Sequence, residues 1–111
     1  MKRLLGKLLA LGAGSSGWEP MRGGVEIFRL AGKPDVGPSV ALLRYQPGAR
    51  VPPHRHRGFE LIFVISGTQS DQDGSYDAGS VVVNQEGDEH SVWSEQGCVV
   101  LIVWERPIEF L

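Results

Sequence analysis

The chain carries one cysteine, Cys98, so it can form no internal disulfide and contains no Cys-x-x-Cys pair for metal or redox chemistry. That scarcity fits a reducing compartment, and the expected location is the cytoplasm. Charge of one sign is lacking too. Eleven Lys and Arg face 13 Asp and Glu, a formal charge of -2, which supplies no electrostatic footing for nucleic acid or an anionic membrane. Small molecules and proteins are the expected partners. Long apolar runs are also missing: none approaches the roughly 20 residues that span a bilayer. The segment Met1 to Ser16 begins like a crude signal peptide, with Lys2 and Arg3 before leucines, yet Lys7 interrupts it and Gly-Ala-Gly-Ser-Ser follows. A short helix is expected there instead, with Leu4, Leu5, Leu8 and Leu9 along one side and an end at Gly12 and Gly14.

What remains is ordinary globular material. A chain of 111 residues, 41% hydrophobic and 22% charged, suits a single domain. Folding at this length removes roughly two-thirds of the unfolded surface from water. After Trp18, short apolar segments rich in Val, Ile, Phe and Trp recur between turn residues: Val25 to Leu30, Val40 to Gln46, Phe59 to Thr68, Ser80 to Gln85, Glu89 to Trp93 and Cys98 to Trp104. This is the pattern of strands joined by tight connections, and it predicts an all-β domain over 18–111 behind a helical or flexible segment over 1–17. Asp73-Gly74 reads as a hairpin turn. Leu61 to Ile65 and Val99 to Trp104 are apolar at both parities, so both faces of those strands are expected to be buried. A small barrel covers only its inner face. The outer face therefore needs the leucine-bearing N-terminal segment or a second subunit, and a homodimer is expected.

Histidine is scarce as well, and its placement is informative. The three in the chain are His54 and His56, within His-Arg-His, and His90 far downstream. Side chains two apart on a strand point to the same face, so His54 and His56 project together, and Glu60 shares their parity if no bulge intervenes. With His90 supplied by a later strand, they would form an imidazole-rich, carboxylate-containing site for one divalent ion such as zinc, iron, manganese or nickel. Any single histidine is more often a plain polar side chain at a barrel rim. The frame around these weighs against that: Gly48, five residues, His54-x-His56, three residues, Glu60, six residues, Gly67, and downstream Gly79, Gly87, two residues, His90.

The first frame matches the first cupin motif in full. The second resembles the second cupin motif, with Gln85 where proline is usual and Ser94 where asparagine is usual. The resemblance implies a double-stranded β-helix, a jelly-roll barrel, with His54, His56, Glu60 and His90 as ligands of an internal metal. A narrower likeness runs through Trp18-Glu-Pro, Gly24-Val25, Tyr45-Gln-Pro-Gly48, Ser70 to Ser80 and Ser94-Glu-Gln-Gly-Cys98. These stretches resemble the ChrR-type cupins. That group includes the C-terminal domain of zinc-dependent anti-sigma factors responding to oxidative signals, and stand-alone relatives similar to dioxygenases of small diketones. The resemblance puts zinc first among the metals. Leu61 stands where the group often has an acid. The 17 residues before Trp18 hold no histidine or cysteine to replace the zinc-binding helical domain of the anti-sigma factors, so sigma-factor binding is not expected.

The function expected is a metal-binding module that senses an oxidative signal or holds a small molecule; the alternative is a metal-dependent dioxygenase acting on a small diketone or enol. No catalytic residue stands out. Glu60 adjoins an apolar run, where an unpaired charge is costly and a cation relieves it. Cys98 reads as a small core residue rather than a sensor. Arg44, Arg50, Arg55 and Arg57 read as solvated surface, with one free to hold an anion at the mouth. Tyr45, Phe59, Trp93 and Trp104 read mostly as core or interface.

Overall fold

The computed structural model describes residue 2 and residues 4–111. Arg3, part of the leader-like pattern, lies outside the described residues, as does Met1. Among the described residues one helix precedes ten strands: α1 Leu8–Ala13, then β1 Glu19–Pro20, β2 Val25–Gly32, β3 Ser39–Tyr45, β4 Ala49–Arg55, β5 Glu60–Asp71, β6 Gly74–Asp77, β7 Val81–Asn84, β8 Glu89–Ser94, β9 Cys98–Trp104 and β10 Glu109–Phe110. Hydrogen bonds link them in the order β1-β2-β3-β9-β5-β8-β4-β10, with β6 and β7 also pairing on β5. The long strand β5 belongs to both halves of this curled sheet: its first part pairs with β9 and β7, its last part with β6 and β8. The result is an all-β jelly roll, as expected from the sequence.

Strand β4 contains His54 yet was not among the expected strands, because Pro52 and Pro53 break its alternation. The register with β8 slips between Val51 and His54, a bulge that absorbs the two prolines while His54 stays paired with His90. A second bulge matters more. Strand β5 presents Glu60, Ile62 and Val64 inward, but its pairing with β9 slips between Val64 and Ser66. One extra residue inverts the parity, so Gln69 and Asp71 become the buried residues of the later half. Gly67 follows this bulge with φ of 75°, and a Cβ on it would stand 2.1 Å from the Gly97 carbonyl oxygen, so no other residue fits.

Strands β5 and β9 are buried on one face only. Val64, Val100 and Ile102 line the core, whereas Leu61, Phe63, Val99, Leu101 and Val103 on the outer side are half-buried within the single chain. The reason is where the N-terminal segment lies. Arg44 donates to the Gly12 and Gly14 carbonyls (3.1 and 2.7 Å) and stacks on the Trp18 ring, and Trp18 packs edge-on against Phe28. That cover reaches β2, β3 and the start of β9, and Leu42, on the same side, is fully buried. Toward β7 it stops, leaving Val81 and Val83 at 60% and 56% exposure. The helix is shorter than the leucine pattern suggested: Leu4 and Leu5 precede it, and none of its residues is buried.

Candidate metal centre

The histidines meet inside the barrel. His54 comes from β4, His56 from just beyond it, and His90 from β8, directly across the ladder from His54. Backbone bonds fix His56: its N–H donates to the Asp88 carbonyl (2.9 Å), and its carbonyl accepts from Gly87 (2.8 Å). Ring centroids lie 4.6 to 5.1 Å apart, and the potential ligand atoms all fall within 4.8 Å of one another. His54 and His56 are 3% and 1% exposed, so this is an interior cluster, not a rim.

Outer partners decide which ring nitrogens face inward. The Pro52 carbonyl can only accept, so His54 Nδ1–H donates to it at 2.9 Å, leaving the Nε2 lone pair free. His90 Nδ1–H faces the Asp71 carboxylate at 3.3 Å with the same consequence. The Nε2 atoms of His56 and His90 approach to 2.9 Å. Two nitrogens bound at about 2.1 Å to one ion stand about 3.0 Å apart at a right angle, so the pair is spaced as adjacent ligands. Histidines oriented by a carboxylate or carbonyl behind them are the usual arrangement around a protein metal. The donor set fits a borderline divalent ion. Neutral imidazoles at His54 and His56 also fit the electrostatics: burial and the two other rings hold the His56 pKa down to about 4, and burial lowers that of His54.

Glu60 lies beside His56 but outside the group of three histidines whose ligand atoms converge. It opens β5, after a turn at Arg57 to Phe59 rather than on the strand that carries His54, yet the inward parity survives. Its Oε1 lies 3.5 Å from His56 Nε2 and accepts from Asn84 Nδ2 (3.0 Å), while its Oε2 accepts from the Trp104 indole N–H (2.6 Å). The carboxyl is 3% exposed, and burial pushes its pKa up to about 7 against the pull of those two donors.

Asp71 was missed by sequence reasoning. It accepts from Tyr76 Oη (2.8 Å) and the Asp73 amide (2.9 Å) on one oxygen, leaving the other for His90. In the sequence it falls beyond the expected strand Phe59 to Thr68, and only the bulge in β5 turns it inward. The arginines are occupied elsewhere: Arg44 with Glu26, Arg50 on the Trp93 ring, Arg55 with Glu89 and Glu109, Arg57 with Glu109. Trp93 thus stands on the outer side, whereas Trp104 reaches the site. Cys98 is buried, and burial raises its thiol pKa to about 11, which makes it a poor nucleophile.

A small jelly-roll barrel with histidines of two separated motifs converging inside it is a cupin. The family model described as ChrR Cupin-like domain matches residues 9–108, and the chain belongs to that family. The anti-sigma-E factor ChrR of Cereibacter sphaeroides is 34% identical over 96 residues, which cover 84% of this chain but 44% of that protein. The chain therefore spans under half the length of that curated relative. Anti-sigma ChrR, in its crystal structure with SigE from Rhodobacter sphaeroides, superimposes with a TM-score of 0.72 at 28% identity, over 81% of this chain and 49% of that one. An acetylacetone dioxygenase from Acinetobacter johnsonii gives a TM-score of 0.82 over all of this chain and 79% of its own, at 16% identity, a likeness of fold alone.

Proposed function

We propose that this cupin holds one divalent metal ion, zinc first and iron, manganese or nickel as alternatives, with His54, His56, His90 and Glu60, and acts as a binding or sensing module for an oxidative signal or small ligand. The observation that carries the metal is the inward set of Nε2 atoms, two of them fixed by Pro52 and Asp71. An ion there would act as a Lewis acid with positions left for a small ligand. The chain's own groups orient the imidazoles, exclude water and keep a carboxyl beside them.

Binding or sensing is favoured over turnover of an organic substrate by the space available. The interior chamber next to His54 and Glu60 holds about 20 Å³, room for one water. The second reading, a metal-dependent dioxygenase acting on a small diketone or enol, draws on the full-length likeness of fold to acetylacetone dioxygenase. Metal analysis of protein purified without oxygen, followed by oxygen uptake with small β-diketones, separates the two. Zinc without oxygen consumption supports the module; iron with turnover supports the dioxygenase. Protein purified metal-free that binds no added zinc or iron overturns both.

The reading extends to assembly and location. The half-open outer face of β5, β7 and β9 supports a homodimer, with an N-terminal segment over 1–17 preceding the barrel over 18–111 and its Gly12–Gly14 stretch as a partial cover. A cytoplasmic setting agrees with the free thiol of Cys98. No helix among the described residues is long and apolar enough to cross a membrane. SigE is the partner of the ChrR relative, but the shared region is under half of that protein, so sigma-factor binding is left out of the proposal.

A further inference from the structure

Of the residues that line the water-sized chamber, Met21 and Ile108 alone lie outside the strands of the barrel. With Trp104, they also line a groove of about 210 Å³ open to solvent, mostly apolar but with Arg29 and Asp35 in its lining. Both pack on the core while staying partly exposed, so each spans the wall from inside to outside. They are not held equally. Met21 sits in a tight turn, its N–H donating to the Val25 carbonyl (2.8 Å). The following Gly23 is pinned so close to Arg50 that a Cβ there would stand 1.8 Å from the Arg50 carbonyl oxygen. Ile108 rides on the C-terminal strap, whose strand β10 has two residues. That strap is held by pairing of Phe110 with His54 and Glu109 with Arg55, by the Leu111 amide on the Pro53 carbonyl (3.1 Å), and by the surface ion pairs of Glu109 with Arg55 and Arg57 (3.1 and 2.7 Å). Exposed ion pairs add little, and a two-residue strand with few backbone pairings opens at low free-energy cost.

We propose that Ile108, moving with the C-terminal strap against a fixed Met21, is the gate and size filter of the histidine chamber. Closed, the chamber takes a molecule the size of water. With Ile108 withdrawn, it joins the outer groove into one cavity, polar at His54 and Glu60, apolar along Met21, Ile27, Trp104 and Phe110, and flanked by Arg29 and Asp35. Such a cavity suits a small ligand with a metal-binding oxygen or nitrogen head and an apolar body. This inference rests on the proposed metal centre, so its test needs one readout that involves no metal.

Trp104 supplies that readout, because it is 8% exposed and forms part of the wall. In a Trp18→Phe, Trp93→Phe background, acrylamide should quench Trp104 several-fold more efficiently in Ile108→Ala and in Glu109→Gln than in the parent, with or without chelator. In cobalt(II)-loaded protein, azide should alter the visible spectrum of parent and variants alike. Phenylimidazole should do so at least tenfold faster in Ile108→Ala. Folded variants whose quenching matches the parent overturn the gate. Loss of cobalt binding in the parent overturns the metal centre instead, while the quenching result still decides the gate.

Discussion

Trp104→Phe isolates the electrostatic cost at the heart of the site. The indole N–H lies 2.6 Å from Glu60 Oε2, and a phenyl ring keeps most of the packing while deleting that donor. A hydrogen bond to a charged group contributes about 1.5–3 kcal/mol, equivalent to about one to two pKa units. The lost ring area adds a pH-independent loss on the order of 1 kcal/mol. The sign follows from linkage. Burial raises the Glu60 pKa from the unfolded 4.5 to about 7 in the fold, so the native state binds more protons between those values, and stability falls as pH rises through that window. In the variant the folded pKa is higher still, and the fall continues to more alkaline pH. The gap between parent and variant should stay near 1 kcal/mol at pH 5 and widen to about 2.5–4 kcal/mol by pH 9. Urea unfolding at the two pH values, with chelator present, measures it. Equal gaps at pH 5 and pH 9 would refute the assignment of a buried, ionising Glu60 held by Trp104.

Asp71→Asn should weaken metal binding about 10–100-fold with the fold intact, because the amide can present a donor where His90 Nδ1–H needs an acceptor; competition with a chromophoric chelator checks this, and an affinity within twofold of the parent removes Asp71 from the site. Below pH 7, metal uptake should displace a proton from Glu60, so calorimetry at pH 6 in buffers of different ionisation enthalpy should count about one proton fewer for Glu60→Gln; an equal count means that Glu60 is not a ligand. His54→Ala and His90→Ala should each lose metal affinity together with the thermal stabilisation that added zinc confers, and variants that bind as the parent does refute the ligand set. Val83→Lys, on the open outer face, should halve the mass seen by light scattering; an unchanged oligomer places the contact elsewhere.

Much of this protein was readable in one dimension. Alternation and turn residues are local properties, so they disclosed an all-β chain, and the spacing of His54, His56 and Glu60 set their common parity even though a turn at Gly58 separates the last from the others. The convergence of His90 on the other two followed from the motif frame, whereas its pairing with His54, near the end of β4 and the start of β8, is a matter of strand register. Three features escaped. Pro52 and Pro53 hid β4, because a strand interrupted by proline shows itself only when a partner supplies the bulge. The bulge beside Ile65 reversed the parity of β5, so nothing in the alternation marked Gln69 and Asp71, beyond the expected end of that strand at Thr68, as inward-facing. How much of the outer faces of β5 and β9 the N-terminal segment covers was hidden too, because apolar residues on both parities record a need for cover without recording how far each cover extends.

Sequence alone therefore determined the strand-rich class and which histidines could share one interior, because side-chain parity and motif spacing are written residue by residue. Only the tertiary structure decided that Asp71 and the Pro52 carbonyl orient those histidines, that Trp104 and Asn84 hold Glu60, and that Met21 and Ile108 line the chamber beside them. Those contacts join residues far apart in the chain, and their geometry depends on bulges and strand registers that local preference does not specify.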